Sequence, residues 1–145
     1  MKAKGLMVGD LIKTKNNFSV DNELNNKYCK VQLLGDKYIA AVLIDEPEKR
    51  PYGDEVSFEE IPLTAKILEK NGFKVPGHLV WNLGCGAEVQ LVPETHDLQN
   101  PYLGYRLVVK QKVFGINDTV ICHLKYVHQL QNALKLCEIE KEIII

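Results

Sequence analysis

The chain has 145 residues, 46% hydrophobic and 26% charged, proportions that suit a packed globular core and exclude a disordered segment. Its 18 Lys and Arg offset 19 Asp and Glu, so no global field draws it to nucleic acid or an anionic membrane, and such binding has to come from a local patch. Cys29, Cys85, Cys122 and Cys137 are scattered as reduced thiols are, and no window resembles a transmembrane span or signal peptide, so the expected location is the cytoplasm.

In chain order, Gly9-Asp10 reads as a turn that launches a strand over Leu11–Thr14, and Tyr28–Leu34 reads as a second strand. Gly35-Asp36-Lys37 reverses the chain into 38–44, an apolar run bounded too closely by breakers for a helix. Prolines, Gly53 and many charges make 45–55 a solvated loop, and 56–61 supplies a further strand. This series of short strands predicts a small curled sheet or SH3-like β-barrel over residues 1–62.

Thr64 is placed to cap a helix over 65–71, and Gly72 stands where a left-handed C-terminal cap is wanted. Segments 79–83 and 87–92 flank Gly84-Cys85-Gly86 as a hairpin. Over 105–114 the alternation is clean, with Tyr105, Leu107 and Val109 on one face and Arg106, Val108, Lys110, Lys112 and Phe114 on the other. Gly115-Ile116-Asn117-Asp118 then turns into a strand over 119–122.

A final helix over about 124–137 places Leu124, Val127, Leu130, Leu134 and Cys137 in one stripe against the sheet. His128, Asn132 and Lys135 fall on the opposite, solvent side, with Gln131 at the stripe's margin. The tail, 138–145, sets Ile139, Ile143 and Ile145 on one side of an extended chain, which predicts an edge strand through which a homo-oligomer can form. The expected class is α+β: a β-rich subdomain over 1–62, then a helix, an antiparallel sheet and a packed C-terminal helix over 63–145, together one compact unit.

Two segments, Ile61-Pro62-Leu63-Thr64 with its helix and Asn71-Gly72-Phe73, and Tyr126-Val127-His128-Gln129-Leu130-Gln131-Asn132, resemble a family of small proteins of Bacteroides-type bacteria and their phages or mobile elements. The likeness in layout covers most of the chain, and those two segments are its specific part. After Asn132 the family commonly continues with aromatics and a Thr-Gly turn, where this chain has Ala133-Leu134-Lys135-Leu136-Cys137. What the resemblance implies is a setting, a phage or mobile-element accessory protein, and no activity.

Tyr126, His128, Gln129, Gln131 and Asn132 offer donors and acceptors that suit a contact surface for a host or phage protein, and the 45–55 loop is a second expected contact surface; the plainer reading has the helix side chains capping loops and binding water. The expected function is therefore non-catalytic binding of a macromolecule. The alternative is nucleic-acid binding on Arg106, Lys110 and Lys112 with Phe114 as a stacking platform, against an ordinary solvated stripe. Third is a small enzyme using Cys85 with His78, His96 or His128 as base. Cys122, His123, His128 and Cys137 lack the close pairs of a zinc site, and no phosphate-binding glycine loop or serine-hydrolase elbow is present, so no metal, cofactor or catalytic residue is expected.

Overall fold

A computed structural model of the chain describes residues 5–20, 22–73, 81–82, 87–94, 104–111, 119–136 and 139–145. They form an α+β structure of two antiparallel sheets with helices α1 (Ala65–Lys70) and α2 (Val127–Leu136). The chain divides into two compact units, Met1–Ile61 with Val127–Asn132, and Pro62–Tyr126 with Ala133–Ile145. Among the described residues no helix is long and apolar enough to cross a membrane.

The first unit contains strands β1 (Leu11–Thr14), β2 (Tyr28–Leu34), β3 (Tyr38–Leu43), β4 (Tyr52–Asp54) and β5 (Phe58–Glu60), in the order β4-β3-β2-β1-β5. The sheet is not closed, since β4 and β5 stand at its two edges. Alternation sorts the side chains: Ile12, Cys29, Val31, Ile39, Ala41, Leu43 and Phe58 form one buried cluster with Leu6. Burying each large member contributes about 1.5–3 kcal/mol. Phe18 meets Phe58 edge-on at 5.1 Å, closing one side of that core.

Two local irregularities shape the outer face of this sheet. The β2–β3 register shifts between Val31 and Leu33, so Gln32 and Leu33 both turn to solvent. The expected loop over 45–55 is structured in its second half: Tyr52 pairs with Ala40 and Asp54 with Tyr38, giving β4. A 3-10 turn over Glu55–Ser57 follows, capped by the Asp54 carboxylate, which accepts from the Ser57 N–H. Pairing with β3 outweighs the turn-forming composition here, and at Gly53, which pairs with Ile39, an added Cβ would stand 3.3 Å from Ser57 Cβ and 3.4 Å from the Phe18 ring.

The second unit opens with α1, which begins and ends as its sequence requires. Thr64 Oγ1 accepts from Ile67 N at 3.3 Å, and Gly72, at φ +81°, lets its own N–H reach Glu69 O at 2.9 Å and Phe73 N reach Leu68 O at 2.9 Å. The second sheet has strands β6 (Trp81–Asn82), β7 (Ala87–Glu94), β8 (Gly104–Gln111) and β9 (Thr119–Leu124) in sequence order. The β7–β8 register runs unbroken from Ala87↔Gln111 to Glu94↔Gly104. The expected Gly84-Cys85-Gly86 turn lies outside the described residues.

Two expectations change at the C-terminus. Leu124 closes β9 and the helix starts only at Val127, because the intervening Tyr126 forms an antiparallel bridge with Pro62. The tail over 139–145 forms no strand; its backbone is held by side chains at the end of α1.

Gly104 carries a demand that no other residue type meets. Its φ is +120°, and an added Cβ would stand 2.3 Å from Leu124 O. Gly104→Ala should therefore cost about 3 kcal/mol through combined strain and overlap, measured as a shift in the urea unfolding midpoint at unchanged slope.

Candidate functional site

The helix segment that carried the resemblance is bound inward. Within the first unit, Gln131 Oε1 accepts from Leu11 N at 2.9 Å. Asn132 Nδ2 donates to Asp10 Oδ2 at 3.1 Å and to Gly5 O at 3.2 Å. Asp10 is buried, and the same Oδ2 accepts from Met7 N at 2.7 Å. His128 is 4% exposed, with Nε2 3.9 Å from Glu60 Oε1.

The solvent-facing placement expected for His128 is thus overturned, and Asn132 is tied to Asp10 rather than free in water. A helical wheel gives every polar position to water by default, whereas a buried carboxylate such as Asp10 requires donors. The signal was present in the side-chain types: the first part of this face, His128 to Asn132, carries amides and an imidazole, groups that tolerate burial when bonded, and its Lys comes only at Lys135. Lys135 is exposed as expected, Gln129 is half-buried, and Tyr126 is half-buried beside Pro62.

The two segments of the resemblance lie backbone to backbone. Ile61 O accepts from Val127 N at 2.9 Å, Pro62 bridges Tyr126, and Leu63 N donates to Lys125 O at 2.8 Å. The spacing of Ile61-Pro62-Leu63-Thr64 and the polar helix in sequence hides this pairing, which arises only in the fold.

The remaining candidates divide by what the structure describes. Arg106 and Lys110 lie on β8, opposite Val92 and Glu88 of β7, while Lys112 and Phe114 fall outside the described residues. Cys85, His78, His96 and Cys137 also fall outside them. Cys29 is buried and its thiol is pushed up to about 12 by desolvation, which removes the thiolate needed for nucleophilic chemistry. Among the described residues no group of three or more His, Cys, Asp and Glu is placed to hold a metal ion.

The charged half of the 45–55 segment forms its own network. Lys49 Nζ is 2.8 Å from Glu46 and 3.2 Å from Glu23, and Lys27 is 3.5 Å from Glu46. The hydrogen bond from Lys49 holds the Glu46 carboxyl below its usual range, and the same bond holds Lys49 above its own. These charges satisfy one another at the surface and leave the adjacent β4 as the more distinctive feature.

On β4 and β3, Tyr52 and Tyr38 stack at 5.6 Å with an interplanar angle of 9°. They are 63% and 51% exposed, and Ala40 stands in register with both Tyr52 and exposed Leu33. Val8, Gly9, Lys30, Val31, Gln32 and Val42 line a shallow groove of about 460 Å³. Sequence reading missed this pair because Tyr52 sits amid loop-forming residues and meets Tyr38 only through the β3–β4 register. The chain matches no protein-family model and no curated protein.

Burial holds the His128 imidazole below its ordinary value, with the carboxylates of Asp10 and Glu60 pulling the other way. The unfolded chain then binds the proton more readily, so the stability held above about pH 6.5 is lost as pH falls through that value. Urea unfolding between about pH 7.5 and 5.5 should show this decline, and His128→Gln should flatten it. Asn132→Ala removes a donor from buried Asp10 and should cost about 2 kcal/mol at neutral pH, read from the same curves.

Proposed function

We propose that this chain is a non-catalytic binding module that engages a protein partner on the outward face of β2, β3 and β4. The observation that carries the reading is the Tyr38–Tyr52 stack, two large aromatic rings held parallel to each other and more than half exposed. Aromatic groups that remain in water while ordered by their neighbours lose little freedom on binding, which is why such clusters anchor protein interfaces. Leu33 and Val42 extend the apolar surface, and Gln131 and Asn132 are already engaged within their own unit.

An SH3-like barrel is the architecture we assign to the first unit, supported by the strand order β4-β3-β2-β1-β5 with a 3-10 turn between β4 and β5. The setting is the bacterial cytoplasm, in an accessory protein of a phage or mobile element of Bacteroides-type hosts, supported by the two segments that resemble that family.

The test is capture from a host lysate by tagged wild-type chain and by the double variant Tyr38→Ala, Tyr52→Ala. Both rings lie outside the core cluster, so the variant should keep its fold by circular dichroism. It should lose at least about tenfold in affinity for a protein that wild type retains after nuclease treatment. Equal retention by the variant sinks the assignment to this face, and a catch that vanishes with nuclease and rising salt replaces the partner with nucleic acid.

A further inference from the structure

The last residues of the chain are held in a way that reads main chain more than side chain. Asn71, at the end of α1, is 5% exposed. Its Nδ2 donates to Ile144 O at 2.7 Å while its Oδ1 accepts from Ile144 N at 2.8 Å. A third bond, from Nδ2 to Ile67 O at 2.8 Å, fixes the orientation of the amide. Lys70 Nζ adds a bond to Ile145 O at 2.7 Å.

An amide that donates to and accepts from one residue offers what a neighbouring strand offers, so it recognises an extended backbone whatever side chain that residue carries. Ile144 is indeed exposed, as are Glu140 and Glu142. The one tail side chain in this stretch that is fully taken up is Ile143, 3% exposed. The binding requirement is short: a branched aliphatic residue followed by one residue of extended backbone.

We propose that the Asn71 end of α1 is a receptor for an extended aliphatic peptide, filled in cis by residues 143–145 and able to take the same segment from a second copy of the chain. This goes beyond the aromatic face and does not depend on it. Tethering presents the tail at an effective concentration on the order of millimolar, so any ligand in trans has to compete with it.

The probe is a labelled peptide with the sequence of residues 138–145, titrated by fluorescence anisotropy against the full chain. Ile143→Asp places a charge where the tail side chain is buried and expels the tail, so this variant should bind the wild-type peptide at least about tenfold more tightly than the wild-type chain does. Adding Asn71→Ala should remove the gain, and a peptide with Asp in the position of Ile143 should not bind. On the wild-type chain, saturating peptide should speed hydrogen exchange at the Ile144 N–H by at least about tenfold, because the tail then leaves Asn71. A peptide that binds neither chain, a gain that survives Asn71→Ala, or unchanged exchange at Ile144 overturns the proposal. An Ile143→Asp chain that unfolds also overturns it, since the tail is then an integral part of the core.

Discussion

The buried carboxylate of Asp10 is the constraint on which the first unit turns. Removing a carboxylate from water costs several kcal/mol unless donors replace the water, and Met7 N and Asn132 Nδ2 are two that do so. The second of them comes from a residue more than a hundred positions away, so the Gly9-Asp10 turn is complete only when the helix segment Val127–Asn132 is in place. Gln131 adds a bond to the very next backbone N–H, that of Leu11. Since β1 pairs with both β2 and β5, fixing its start also fixes the register of its two neighbours. A slip by one residue would turn Ile12 out of the core and carry Asp10 away from its donors.

That constraint also explains where binding capacity is found. Gln131 and Asn132 are spent on satisfying their own unit, and among the described residues the ordered aromatic pair on β3 and β4 is a distinctive group still in water. The two surfaces differ in kind. Amides facing a buried acid give orientation and uniqueness, whereas exposed rings give area that a partner can cover.

Much of the fold was legible because local and tertiary preferences agree. The breakers that bound the apolar run of 38–44 mark it as a strand before any partner strand is known, and Thr64 with Gly72 delimits α1 by backbone chemistry alone. Strand β4 was illegible because Tyr52, Gly53 and Asp54 have no strand signal of their own and pair only through β3. His128 was misplaced because periodicity reports which residues share a face and says nothing of what that face meets. The tail was read correctly in its period, with Ile143 buried and Ile144 exposed, but not in its partner, since sequence patterns describe strand ladders and carry no sign of a side-chain amide such as Asn71 standing in for one. Of the candidate site, the chemistry of the polar helix was visible, while the aromatic pair depended on a register that only folding supplies.

Cys29 gives this core an internal clock. It lies among Ile12, Val31 and Phe58, its Sγ is 3.6 Å from Ile12 O, and its thiol is held at about 12. A thiol so enclosed is almost wholly un-ionised at neutral pH and out of reach of any alkylating reagent, so it reacts only during the moments when the first sheet opens. Where the reagent reacts faster than the sheet recloses, the rate at which Cys29 is modified therefore measures the frequency of those openings, and where it reacts more slowly it measures their equilibrium population, read from a group the protein already carries.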